Sequence, residues 1–336
     1  MTNSSAAERA RPAAPRSPGR ARALGMLLLA NFYWGLSFPV IKAALLAQAR
    51  LLPGTAGSFN TAAVLAPRFL LALALLALWR RWRPAGRAGG LTRGEVRQGL
   101  ILGSCATGGM LLQIDGLRFT AATTSAFLTQ FYAILIPVWL AVRRRRLPGS
   151  ITLGSCILVL AGVAILGNFD WSQLRLGRGE WETLAASLFF MVQVLCLANP
   201  KYEGNRPQEI TLVLFAVEAA AFTALAAATT PSLSALAVLA ASGPWLGMTL
   251  VLAVCCTVGA FSLMNAWQPR ITATEAGLIY CAEPVFASGL ALFLPALLSR
   301  WAGIAYANEQ ASTSLVVGGG LITAANLLVQ LRPDPD

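Results

Sequence analysis

The sequence predicts an all-α polytopic membrane protein, with ten transmembrane helices arranged as two inverted five-helix repeats. Three observations carry that prediction. Hydrophobic residues make up 56% of the 336-residue chain and charged residues only 12%, about half the charge that coats an ordinary soluble domain. The mean hydropathy is +0.63, which also excludes an intrinsically disordered chain. Ten apolar runs near membrane-spanning length follow one another, and the second five resemble the first.

In chain order, residues 1–23 form a basic stretch with Arg9, Arg11, Arg16, Arg20 and Arg22 among Ala and Pro. It is expected to be a disordered cytoplasmic tail. The apolar runs cover roughly 24–46, 62–79, 98–117, 122–142, 150–168, 183–199, 209–229, 244–267, 274–294 and 312–330. A span needs about 20 mostly apolar residues. In lipid its backbone groups must bond within the segment, so these runs are helices. Ala47-Gln48-Ala49 has the form of a signal-peptide cleavage site, but the run before it is too long and holds Trp34, Pro39 and Lys42.

With the amino terminus inside, nineteen Lys and Arg fall on cytoplasmic segments and five on outer loops; Lys42 and Arg68 lie within spans. That asymmetry places both termini in the cytoplasm. It also explains a pI near 10.3 without nucleic acid, since the basic clusters sit at span ends facing anionic headgroups. Arg143 to Arg146 reads as a topology anchor.

The duplication is clearest between 113–137 and 264–285. Each passes from a helix end through an Arg-x-Thr turn (Arg118 to Thr120; Arg270 to Thr272) into a new helix. Phe127-Leu128 then aligns with Leu278-Ile279, and Tyr132 with Glu283, at an offset of about 151 residues. Five helices per repeat invert the second copy, which predicts a central site between halves 24–168 and 182–330.

Asn31-Phe32-Tyr33-Trp34-Gly35-Leu36-Ser37-Phe38-Pro39 resembles the opening Trp-Gly motif of EamA-type members of the drug/metabolite transporter superfamily. Pro67-Arg68-Phe69-Leu70-Leu71 is similar to that family's Arg-Phe element in the second helix. The stretch from Ala276 to Phe286, AGLIYCAEPVF, is similar to its Glu-Pro signature in the ninth. The departure is Tyr132-Ala133, where the first half would carry its own Glu-Pro pair. The resemblance spans residues 24–330 and implies ten helices and permeation of small metabolites or drugs by alternating access, with export favoured. It leaves an uptake or exchange carrier of amino-acid or nucleotide-sugar type as the alternative.

Ionisable groups at membrane depth cost about 2.5–3.5 kcal/mol on insertion scales, so they should face water or each other. Glu283, before the helix-loosening Pro284, is the first candidate to hold a cationic group or a proton. Its alternative is a structural pair with Arg68 or Lys42. Lys42, Arg68 and Glu218 are candidates for ion pairing or coupling, and Asp115 for an interfacial pair with Arg118. Gly35, Pro39 and Pro284 are candidate gating points. Tyr33, Trp34, Gln113, Tyr132, Tyr280 and Asn265 are candidate solute contacts, although any one polar residue in a span is more often interhelical glue.

No cofactor is expected, since Walker-type and dinucleotide-binding loops are missing. Without histidine, no imidazole base or ligand is available, which argues against a membrane-embedded enzyme. The six cysteines lie in apolar runs and read as small hydrophobes, with no metal site. Expected partners are a small-molecule solute, the lipid bilayer and protons, the protein being a monomer or weak dimer in a bacterial plasma membrane.

Overall fold

The computed structural model describes residues 18–82, 90–116, 119, 128–145, 147–166 and 177–331. The basic residues 1–17, Arg118 and Thr120 of the first repeat's turn, Phe127, and arginines 83, 87, 146, 175 and 332 lie outside them. Among the described residues the secondary structure is helical, without strands. In the first half the helices are α1 (Pro18–Leu51), α2 (Gly57–Arg81), α3 (Arg93–Gly116), α4 (Tyr132–Arg144) and α5 (Ser150–Leu166). In the second they are α6 (Arg178–Leu197), α7 (Pro207–Thr229), α8 (Leu233–Ala240), α9 (Gly243–Ala253), α10 (Ala260–Trp267), α11 (Ala273–Tyr280), α12 (Glu283–Ala291), α13 (Leu294–Ala302) and α14 (Thr313–Leu331). The Val254–Gly259 segment joining α9 to α10 is a π-helix.

Five stretches are long and apolar enough to cross a membrane: α1, α2, α6, α7 and Gly243–Arg270. A sixth is added if α11–α12 and α13, which meet at a 58° bend, count as one span. Among the described residues the other four expected runs do not meet that test, α14 included, which counts only over Thr313–Leu328. Helix α3 carries Arg93, Glu95, Arg97 and Asp115 in its end turns, and α4 and α5 have only 13 and 17 described residues.

The expected tail over 1–23 is corrected at its carboxyl end. Helix α1 already begins at Pro18. At 34 residues, α1 is about 51 Å long, well beyond a hydrocarbon core of about 30 Å. Its first turns therefore extend past the apolar span while staying packed on the bundle through Ala23 and Leu24, and there Arg20 and Arg22 find their contacts.

Two short helices, α8 and α13, fill loops that the apolar pattern left unassigned. Ser232 and Ser242 cap α8 and α9, each accepting a backbone N–H three residues on. Helix α13 stops at Gly303, whose φ of +63° gives the left-handed stop.

Helices α2 and α7 pack on each other, as do α5 and α14. Helix α3 packs along α6, and α1 along the α9–α10 stretch. The largest apolar cluster, which includes Leu27, Phe69, Phe215, Phe222, Phe261 and Tyr280, ties both halves together. Two smaller ones stand apart. One joins α1, α2, α8, α9 and α13 around Phe59 and Met248; the other joins α4, α5, α11 and α14 around Val159 and Ile322.

The face on which α1 starts is laced by charges between sequence-distant helices. Arg20 pairs with Glu275, its Nε 3.1 Å from Oε1. Arg80 Nε lies 2.8 Å from Glu209 Oε2, and Arg206 Nε 2.7 Å from Glu95 Oε1. Trp267 stacks with the guanidinium groups of Arg22 and Arg270, at 5.2 and 4.1 Å. On the opposite face Asp115 pairs with Arg178 at 2.5 Å. The partner expected for it, Arg118, lies outside the described residues.

Candidate functional site

The ninth apolar run does not form one helix. Helix α11 ends at Tyr280, and α12 restarts at Glu283. At the join, Cys281 and Ala282 donate to the Leu278 and Ile279 carbonyls in tight three-residue turns. Pro284 lacks the N–H that would continue the ladder to Tyr280. The sequence places this break between two apolar stretches.

Close-approach glycines flank the break. A Cβ at Gly35 would lie 2.7 Å from Phe286 Cβ and 2.9 Å from the Ala287 nitrogen. Glycine is therefore what lets α1 sit against α12. On α11, a Cβ at Gly277 would come within 2.9 Å of Ile136 Cδ1, so α4 closes on the other side. This brings Tyr132 of α4 within electrostatic reach of the Glu283 carboxyl.

Glu283 is half-buried and makes no hydrogen bond or ion pair among the described residues. Tyr132 is only 6% exposed, and its hydroxyl likewise has no hydrogen-bond partner. Phe286, one turn beyond Glu283, meets Phe32 edge to face at 5.8 Å, and Phe32 neighbours Tyr33 at 6.1 Å. Tyr33 packs its ring over Gly259. Residues 283–289 are all half-buried.

The other singled-out residues are held in place. Trp34 stands edge-on to Phe261 and Tyr280, at 5.7 and 5.5 Å. The Tyr280 hydroxyl donates to Gln268 Oε1 at 2.8 Å, and Gln268 Nε2 donates to the Val194 carbonyl. Gln113 donates to Thr129 at 3.0 Å, and Asn265 to Thr211 at 2.8 Å. These bonds tie helices together. Helix α1 runs unbroken through Pro39. Lys42 places its ammonium over the Tyr306 ring at 5.2 Å.

Arg68 is 3% exposed and is held by the π-helical segment. Its Nε donates to Thr257 Oγ1 at 2.5 Å and its terminal nitrogen to the Cys256 carbonyl at 3.1 Å. A π-turn disturbs the regular backbone ladder, and the guanidinium takes up the carbonyl offered there. Glu218 lies within electrostatic reach of Arg68. It is fully buried, and neither of its oxygens has a hydrogen-bond partner. Arg68 thus lies near Glu218 but bonds to the π-segment.

Sequence reasoning missed Phe32, Phe286, Thr257 and the Arg20–Glu275 pair. The last had a signal. Thr272-x-x-Glu275 and Thr92-x-x-Glu95 both have capping-box spacing, and each Glu caps its helix while also holding an arginine from far along the chain.

No family model matches the chain. A relative from Archaeoglobus fulgidus, described as an uncharacterized transporter, is 25% identical over 321 residues, covering 92% of this chain and 85% of that protein. A solved crystal structure, described only as that of a protein, matches with a TM-score of 0.66 at 17% identity, covering 93% of this chain and 97% of the other. That likeness concerns the fold. The chain is thus a helical protein of membrane type. Over nearly its full length it is similar to a protein described as a transporter.

Proposed function

We propose that this protein is a secondary transporter of EamA-like type, moving a small solute across a bacterial plasma membrane by alternating access, in the export direction and with proton coupling. Its ten spans form two inverted five-helix repeats, with both termini in the cytoplasm. The packing supports the repeat reading. Exchanging the halves maps α2 onto α7 and α5 onto α14, and both pairs are in contact; it maps the α3–α6 contact onto the α9/α10–α1 contact. A two-fold axis in the membrane plane produces that pattern.

The observation that carries the functional reading is the unpaired Glu283 carboxyl at a helix break between close-packed α1 and α4. Broken helices at mid-membrane are where such carriers hold solute and coupling ion. Residues 283–289 would line the solute path, with Gly35 and Pro284 as the points about which α1 and α12 shift. The Arg20–Glu275 and Arg80–Glu209 pairs would close the cytoplasmic side and must part when it opens.

Proteoliposome flux tests the reading. An imposed pH gradient should drive solute movement by the wild type, and Glu283→Gln should abolish that pH dependence. Unchanged rate and pH dependence in Glu283→Gln would remove Glu283 from the mechanism.

A further inference from the structure

We infer that the solute held at this site carries an ammonium group on an aromatic or flat apolar body, bound between the Glu283 carboxylate and the Tyr132 hydroxyl. The inference rests on the transporter reading above and narrows it to a substrate class.

The argument begins with charge. Among the described residues the two cations nearest membrane depth are both engaged elsewhere. Arg68 is fixed on Thr257 and the Cys256 carbonyl, and Lys42 lies over Tyr306. Neither bonds to Glu283, so the site has a negative group and no resident positive one. An incoming cation is attracted. An anion meets repulsion with nothing to offset it. A zwitterionic amino acid satisfies Glu283 with its ammonium but leaves its own carboxylate unpaired in a low-dielectric site, which is costly. A nucleotide sugar would need basic side chains that are already occupied.

The second observation is independent of the helix start at Glu283. Tyr132 is more than nine-tenths buried, on a different helix, and its hydroxyl has no hydrogen-bond partner among the described residues. The ring is buried but the oxygen is not sealed in, so a donor that enters the site can reach it. A primary ammonium has three donors; one can go to Glu283 and another to the Tyr132 oxygen. The third consideration is the wall. Phe286, one helical turn beyond Glu283, packs edge to face on Phe32, with Tyr33 next to that pair. Aromatic faces favour organic cations and flat apolar bodies over small inorganic ions.

Three probes share one phenyl body and differ in charge: 2-phenylethylamine, phenylalanine and 3-phenylpropionate. Isothermal titration calorimetry on the full chain in nanodiscs should show 2-phenylethylamine binding at least about tenfold more tightly than the other two, a difference of about 1.4 kcal/mol. Glu283→Gln should remove at least about tenfold of that preference, and Tyr132→Phe should weaken amine binding a few-fold. Asp115→Asn, at a surface pair, should bind as the wild type does.

Equal or tighter binding of the zwitterion or the anion would overturn the inference. So would absence of amine binding, or wild-type affinity in Glu283→Gln. If Glu283→Gln does not fold, Tyr132→Phe and Phe286→Leu carry the test, and wild-type affinity in both would overturn it. Flux separates the two readings. Amine binding without flux would leave the site standing and remove the transporter; flux of the anion without amine binding would do the reverse.

Discussion

Two acids lie within apolar helices of this protein, and they are held in opposite ways. Glu218 is sealed from solvent on α7, with Arg68 in electrostatic reach across the α2–α7 contact. Glu283 is half-buried at a break in its helix and, among the described residues, is bonded to no cation. A sealed acid with a cation already placed near it is part of the architecture. A charge with no resident partner is available to something that arrives. The same residue type therefore serves structure in one place and, in our reading, binding in the other.

The sharpest way to break this comparison is Arg68→Met. It deprives Thr257 and the Cys256 carbonyl of their buried donor, so in denaturant titrations it should cost about 1–3 kcal/mol for each bond lost. If Arg68→Met melts as the wild type does, Arg68 is not structural. Glu283→Gln should leave stability unchanged or raised, since it removes an uncompensated charge.

A smaller effect is expected at the α1–α12 contact. Gly35→Ala puts a methyl 2.7 Å from Phe286 Cβ and against α12 backbone, an overpacking cost of about 1–3 kcal/mol. It should also lower transport by holding the helices apart. A variant with wild-type stability and flux would show that close approach at Gly35 is unimportant.

On the α1-start face the Arg206 guanidinium holds the Glu95 carboxyl at about 2, below its ordinary 4.5. A depressed carboxyl stabilises the fold fully above its ordinary value and loses that contribution as pH falls through the folded one. The melting temperature should therefore fall between about pH 4.5 and pH 2, and Arg206→Gln should flatten that slope. An equal slope in the variant would place the acid sensitivity elsewhere. The smallest effect belongs to Arg178→Gln at an exposed pair, where no measurable change in melting is expected.

The helical class was legible because apolar runs of this length have few other uses. Glu283 and the loosening at Pro284 were legible for a related reason, since a carboxyl and a proline interrupt such a run visibly. The π-segment was not. Val254-Cys255-Cys256-Thr257-Val258-Gly259 is apolar but for Thr257, and its geometry becomes apparent only once Arg68 arrives from α2. Arg20 read as part of a loose tail because its partner, Glu275, lies 255 positions away. Asn265, Gln113 and Tyr280 illustrate the same limit: their types announce hydrogen bonding, while the partners Thr211, Thr129 and Gln268 are fixed by packing.

Ligand-dependent melting in nanodiscs tests most directly whether Glu283 awaits a positive charge, because a ligand that binds the folded state raises its stability by mass action. The account predicts that 2-phenylethylamine raises the melting temperature of the wild type and of Asp115→Asn, and leaves Glu283→Gln where it was. An equal rise in Glu283→Gln, or none in the wild type, would contradict it.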